Sequence, residues 1–185
     1  MVAGVALLVL DTQNDIMGFQ DQGSLPGMIA ATARLAAWAR ASGVPVIYSR
    51  VAFRPGYIDI LPQLPSIKDY GILNENEPGS AIIDALAPQD QDIVIVKRRV
   101  GAFHGTDLEL ILRALEVKVL LYTGVSTDRV VESTVRDASD RGFRNVVISD
   151  ACASSTSQRH DAALDSITDF FGEVMTSDEA MQAFS

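Results

Sequence analysis

Apolar and polar positions alternate along this chain in blocks rather than residue by residue. Short runs rich in Val, Ile and Leu occupy Val5–Leu10, Val44–Val51, Ile93–Val96, Val117–Tyr122 and Val146–Ser149. Each run is the length of a strand and is apolar on both alternating faces, which predicts strands buried on both sides. Between the runs lie segments with helical spacing. Leu108, Ile111, Leu112 and Leu115 follow the i, i+3, i+4, i+7 rule, and Thr106–Glu109 has the form of a capping box at the start of that helix. The stretch from Met28 to Ala41 closes at Gly43; Val130, Val131, Val135 and Ala138 suit a helix that opens near Thr127 and closes at Gly142; Leu164, Ile167 and Phe171 form a stripe that ends at Gly172. Strands that alternate with such helices predict βαβ units with right-handed crossovers. The expected fold is therefore α/β, a three-layer, doubly wound and mostly parallel sheet flanked by helices, in a single domain over residues 1–185.

One stretch breaks the rhythm. Ala52 to Gly79 contains Pro55, Pro62, Pro65 and Pro78 and reads as a long excursion: a lid, an oligomer contact or a plain surface loop. No internal repeat or low-complexity tract interrupts the rest.

Composition narrows the function classes. Hydrophobic residues make up 48% of the 185 positions and charged residues 21%, enough to close a core. The 15 Lys and Arg against 24 Asp and Glu give a net charge of -9, so neither nucleic acid nor an anionic membrane is an expected partner. The apolar start from Met1 to Leu10 has no basic flank and is stopped by Asp11, so no targeting or spanning segment is expected and the default compartment is cytoplasmic. Cys152 is the only cysteine, which excludes an internal disulfide but leaves open a lone nucleophilic thiol.

In open parallel sheets ligands bind beyond the carboxyl ends of the strands, so the polar residues there are the first candidates. Asp11, Lys97, the turn Gly124–Thr127 and Asp150 each follow an apolar run. A carboxylate and an ammonium closing two buried strands could form a desolvated pair in which the acid serves as a base; they could equally form a structural salt bridge or a helix cap. Gly124-Val125-Ser126-Thr127 feeds a helix N-terminus, where backbone N–H groups can hold an anion or a developing oxyanion.

These residues also carry a resemblance. Ala6-Leu7-Leu8-Val9-Leu10-Asp11-Thr12-Gln13-Asn14-Asp15, the stretch Lys97-Arg98-Arg99-Val100-Gly101-Ala102-Phe103-His104-Gly105-Thr106-Asp107-Leu108, and Gly124-Val125-Ser126-Thr127-Asp128-Arg129-Val130-Val131-Glu132-Ser133-Thr134 resemble, in that order, the three motifs of the isochorismatase-like cysteine hydrolases. That family includes nicotinamidases, carbamoylsarcosine and ureidoacrylate amidohydrolases, and isochorismatase. The resemblance implies a catalytic Asp11, a catalytic Lys97, a cis peptide at Val125–Ser126, an oxyanion hole from backbone N–H groups at Ser126 and position 130, and a small-molecule substrate split at a C–N bond. It implies a homodimer or homotetramer and no cofactor. Metal-binding relatives use an aspartate with several histidines after the second strand; this chain offers Asp59 there without a histidine, so no metal is expected.

The family's nucleophile falls at position 130, and this chain has Val130. Valine cannot ionise, so the acyl-thioester route is closed to it. Cys152 lies beyond the next strand, where a small buried residue is the simpler reading. Three functions stay open: an impaired amide or ureide hydrolase whose thiol was replaced, naturally or by substitution; a vinyl-ether hydrolase that uses Asp11 as general acid and needs no thiol; and a non-catalytic binding protein. Phe19, Phe53, Tyr57 and Phe103 are candidate pocket residues, and Arg54 a candidate clamp for an anionic substrate. Gln13 and Asp15 could position Asp11 or a subunit contact.

Overall fold

The computed structural model describes residues 3–185; Met1 and Val2, where the apolar start begins, lie outside the described residues. In chain order the elements are β1 (Val5–Leu10), α1 (Asn14–Met17), α2 (Leu25–Ala41), β2 (Val46–Val51), α3 (Pro65–Asp69), β3 (Ile93–Lys97), α4 (Leu108–Ala114), β4 (Val119–Val125), α5 (Glu132–Asp140), β5 (Arg144–Ala153), α6 (Ser157–Ser166), β6 (Glu173–Met175) and α7 (Ser177–Ala183). The six strands form one parallel sheet in the order β3-β2-β1-β4-β5-β6.

β1 is buried along its whole length, and its alternate side chains explain why. Ala6, Leu8 and Leu10 enter the core under α4 and α5 with Leu108, Leu112 and Val135. Val5, Leu7 and Val9 enter the opposite core with Leu35 and Ala39 of α2 and Ala180 of α7. A strand between two helical layers must be apolar on both faces, which is what the uninterrupted run encodes.

The chain winds outward from β1 to β2 and β3, then returns to place β4 on the other side of β1. That reversal leaves a crevice beyond the carboxyl ends of β1 and β4, the place where doubly wound sheets bind ligands. The two strands approach closely there. Gly124 pairs with Leu10 at φ 121°, and a Cβ at Gly124 would lie 2.0 Å from the Leu10 carbonyl oxygen. Only glycine fits.

Several boundaries differ from expectation for local reasons. β5 runs on through Ser149 to Ala153, so Asp150 lies within a strand and not at its end. Its carboxylate accepts from the Ser177 N–H (2.7 Å) and hydroxyl (2.6 Å) and thereby caps α7. The Thr106 capping box does not form: the Thr106 hydroxyl accepts from Leu108 N–H at 3.2 Å and donates to Ala102 O, while Glu109 turns to Arg113 and Arg141. The helix expected from Thr127 opens with a wide turn, Thr127–Val131, before α5. β6 and α7 were not expected. β6 is too short for a periodicity, but Thr176 and Glu179 make a complete capping box that marks the start of α7.

Candidate active site

β1 ends at Leu10, and Asp11 then turns the chain at φ 54°, rare for a residue with a side chain. Its N–H donates to the Ser49 carbonyl of neighbouring β2 at 3.0 Å, and the Ser49 hydroxyl donates back to Asp11 Oδ1 at 2.7 Å. Lys97, the last residue of β3, reaches over β2 to bring Nζ within 2.7 Å of Asp11 Oδ2. β1 and β3 are two strand spacings apart, roughly 10 Å, a span that needs a long side chain. Lys97 Nζ also donates to the carbonyls of Arg99 (3.0 Å) and Val100 (2.9 Å), so all three of its protons have acceptors. The side chains are 1% and 5% exposed, and the pair is therefore a desolvated one. Burial pushes the Asp11 carboxyl above the usual carboxylate range, and Lys97 and Ser49 pull it partly back.

The end of β4 supplies the facing wall. The Val125–Ser126 peptide is cis. The Ser126 hydroxyl donates to Gln20 Oε1 at 2.9 Å, and the Ser126 carbonyl accepts from the N–H groups of Arg129 and Val131. Thr127 Oγ1 lies 2.8 Å from His160 Nδ1. The Val130 carbonyl accepts from the buried Thr134 hydroxyl at 2.6 Å, and that hydroxyl accepts from Ala102 N–H at 3.1 Å, which ties the loop after Lys97 to the turn after β4.

Asp11, Lys97, Ser126 and Val130 line one cavity of about 310 Å³, the size of a small-molecule site. The excursion forms its outer wall through Leu61, Leu64, Ile67, Tyr70 and Leu73, with Phe19 and Phe53 completing it. Of the expected roles for that excursion, the structure shows a cover. Gln13 and Asp15 hold it in place. The buried Gln13 amide donates to Val51 O and Ser80 O, both at 2.7 Å, and Asp15 Oδ2 accepts from Leu73 N–H at 2.7 Å.

Three expected pocket residues lie elsewhere. Phe103 is core: it stacks on Phe143 at 6.1 Å between centroids, under the Arg141 guanidinium. Tyr57 sits behind the wall, packing on Phe53 and donating its hydroxyl to Ile72 O at 3.0 Å. Arg54 is not at the cavity; it is paired with Asp59 at 2.9 Å. Asp59 also faces Arg98, whose Nε lies 2.6 Å from Oδ2 though off the hydrogen-bonding angle. Among the described residues no three His, Cys, Asp or Glu side chains stand together as a ligand set for a metal. Cavity residues missed by sequence reasoning are Gln20, Arg98, Arg99 and Arg129. Arg98, Arg99 and Arg129 belong to motif segments already singled out, so their adjacency to Lys97 and Val130 was the available signal.

Cys152 is not a displaced nucleophile. It opposes Gly124 in the β4–β5 ladder, with Sγ 3.6 Å from Tyr122 O, and it lines a separate cavity of about 600 Å³ with Met28, Arg34 and His160. Burial pushes its thiol far above the ordinary range, and an un-ionised thiol is a poor nucleophile. The larger cavity holds neither Asp11 nor Lys97. No helix among the described residues is long and apolar enough to cross a membrane.

Comparison with known proteins points to one family. The family model described as the isochorismatase domain matches residues 5–179. The chain is 35% identical to the isochorismatase family protein YecD of Escherichia coli O157:H7, over 96% of this chain and 95% of that one. It is 34% identical to the ureidoacrylate amidohydrolase RutB of Methylobacterium radiotolerans, over 91% of this chain and 74% of the relative. The solved structure of an isochorismatase family protein from Burkholderia thailandensis superposes with a TM-score of 0.88 at 32% identity, covering 98% of this chain and 95% of that one. By matched length, by identity and by the sheet that brings Asp11, Lys97 and the turn after β4 together, this chain belongs to the isochorismatase family.

Proposed function

We propose that the cavity beyond β1 and β4 is an amidohydrolase site for a small, non-peptide amide or ureide, and that Val130 leaves the chain inactive or impaired in that reaction. The observation that carries this reading is that Val130 and the buried Asp11–Lys97 pair line the same cavity. The similarity to a relative named ureidoacrylate amidohydrolase supports the choice of a C–N bond. No cofactor or metal enters the reading.

With a thiol at position 130, the chemistry would run as general-base-assisted nucleophilic catalysis. The Asp11 carboxylate takes the thiol proton, and the thiolate pair forms a C–S bond as the carbonyl π pair moves onto oxygen. The N–H groups of Ser126 and residue 130 hold that oxyanion. Collapse breaks the C–N bond, and Asp11 returns its proton to the leaving nitrogen. Water then gives a proton to Asp11 and attacks the thioester, releasing the acid and the thiol. Lys97 holds Asp11 in position and keeps it ionised between proton transfers.

The test is Val130→Cys in a Cys152→Ala background, assayed for ammonia release from small amides and ureides. Turnover in this variant, with none in the parent, is the expected result. A variant that neither hydrolyses nor binds any member of the panel overturns the reading. A second reading, vinyl-ether hydrolysis by water with Asp11 as general acid, draws on the burial that raises the Asp11 carboxyl. It requires turnover of an enol ether by the chain with Val130 in place, lost in Asp11→Asn.

A further inference from the structure

The larger cavity, about 600 Å³ against 310 Å³ for the candidate active site, has no part in the hydrolase reading. It lies between the first half of α2, the end of β5 and the start of α6, and the residues of α2 account for its volume. Where this helix faces the end of β5 it carries Gly27, Ala30 and Ala31, so no long side chain fills the gap. A Cβ at Gly27 would meet no atom within 4 Å. Met28, Cys152 and Ala153 complete an apolar floor.

The charged side chains on the rim are already engaged within the chain. Arg34 pairs with Asp178 at 3.1 Å and donates to the Ser177 hydroxyl at 2.7 Å. Asp150 accepts from the Ser177 N–H and hydroxyl, and Asp21 accepts from Gly23 N–H at 3.2 Å. An ion entering here would lose hydration without gaining a free counter-charge. His160 offers a different kind of contact. Its Nδ1 lies 2.8 Å from Thr127 Oγ1, and among the described residues no hydrogen bond occupies Nε2. Burial holds its pKa below the ordinary value, so at neutral pH the ring is uncharged, with one donor nitrogen and one acceptor nitrogen.

We infer that this cavity is a second small-molecule site, that it takes an uncharged planar heteroaromatic ring with a hydrogen-bonding edge, and that its occupancy is felt at the turn bearing Val130. The volume lies within the ordinary range of ligand cavities, about 300–1,000 Å³. Glycine and alanine let a flat face approach the α2 backbone, and the Met28 thioether makes favourable contacts with aromatic rings. The polar edge of the ring answers the open nitrogen of His160. The link to the turn is a set of shared contacts. Cys152 and Ala153 pair with Gly124 and Val125 in the β4–β5 ladder, and His160 meets Thr127. The Ser154 hydroxyl donates to Asp128 Oδ1 at 2.7 Å and accepts from Asp128 N–H at 3.2 Å. A ring that fixes His160 and the end of β5 therefore restrains Gly124–Asp128, which leads into Val130. The inference stands apart from the hydrolase reading, since it invokes neither Asp11, Lys97 nor turnover.

The test is an NMR titration of the ¹⁵N-labelled chain, with Val130 in place, at pH 8. Benzimidazole, 7-azaindole and indole are the uncharged rings; benzoate and benzamidine are charged controls of equal size. At about nine non-hydrogen atoms, at least one uncharged ring should give saturable shifts at Met28, Ala31, Ala153 and His160 with a Kd of about 1 mM or tighter. The charged controls should bind about ten-fold or more weakly than that ring. Gly27→Leu and Ala30→Leu fill the cavity from α2 and should each weaken binding about ten-fold or more. Leucine is a better helix former than glycine, so Gly27→Leu should melt no lower than the parent, which separates a blocked site from a damaged fold. In the saturated parent the Val130 amide should also shift; Thr127→Val should still bind the ring but move that amide less. No saturable shift at the four residues up to about 10 mM of any uncharged ring overturns the inference. So does binding that both leucine variants leave intact, or a charged control that binds equally well. A Val130 amide that stays still at saturation, or moves undiminished in Thr127→Val, overturns the link to the turn.

Discussion

Removing the Lys97 ammonium while keeping its bulk, as in Lys97→Met, strands a carboxylate in the crevice. Asp11 would retain one donor, the Ser49 hydroxyl at 2.7 Å, and the carbonyls of Arg99 and Val100 would each lose a hydrogen bond. Breaking one side of a buried pair costs about 3–5 kcal/mol, and at this chain length each kcal/mol shifts Tm by about 2–4 °C, so Tm should fall by about 6–20 °C near pH 7. The loss should also depend on pH, with a sign that follows from Asp11. Its folded pKa is already raised, because burial outweighs Lys97 and Ser49. Without Lys97 the two lowering contributions from that residue vanish and the folded pKa rises further. A raised carboxyl favours folding below its unfolded pKa and costs stability progressively as pH rises through the folded value. Lys97→Met should therefore be nearest to the parent around pH 4–5 and furthest from it around pH 8. Urea titrations of parent, Lys97→Met, Asp11→Leu and the double variant at pH 5 and pH 8 measure this. In the double variant no buried charge remains, and its stability should return to within about 1–2 kcal/mol of the parent or exceed it. A Lys97→Met loss below about 1 kcal/mol, or one equal at both pH values, would refute the claim that this pair is desolvated.

Gly124→Ala should not yield stable protein, since a Cβ 2.0 Å from Leu10 O at φ 121° forces β1 and β4 apart; soluble yield and circular dichroism read this, and a well-folded variant would contradict the close approach. In native protein at pH 7.5, iodoacetamide should leave Cys152 unmodified for hours while labelling Val130→Cys, and unfolding in urea should expose Cys152 to the reagent; peptide mass spectrometry distinguishes the two sites. Burial lowers the His160 pKa, so its contribution to stability is complete above the unfolded value near 6.5 and is lost as pH falls through the folded one. The parent should lose stability between pH 7 and pH 5 by an amount that His160→Gln reduces, as thermal melts at the two pH values would show.

The fold was legible because burial on both faces leaves a strong mark in the sequence. β1 coincides with its apolar run, and the strand pairing follows from alternation with helices and from right-handed crossovers. The misreadings arise where a local signal has a competing partner. Thr106 met the pattern of a capping box, but Glu109 had two arginines to satisfy and the box did not close. Asp150 looked like a strand terminus because its acidity interrupts the apolar run, whereas its task is to receive Ser177 from a helix some 27 positions away. Polar residues inside strands are readable only once their distant partners are known.

The same rule governs the site. Asp11 and Lys97 were legible because strand ends in a parallel sheet converge without any knowledge of side-chain packing. The charges at the cavity mouth were not, since a guanidinium is available to a ligand only when no neighbour neutralises it. Arg54, Arg98, Arg99 and Arg129 look alike in sequence. Asp59 removes the first two from consideration, and Asp59 sits in an excursion with no periodicity to predict where it folds. Val130 is the converse case. Its identity was plain from the chain, and the structure adds that the valine is 3% exposed and packed with Phe103, Leu108 and Val131 while still lining the cavity. A side chain so placed closes the core behind the site as well as lining the cavity. Val130→Cys removes about one methyl group's worth of packing, about 1 kcal/mol. The stability lost in that variant should thus be small, and its activity can be compared with the parent's at equal folded protein.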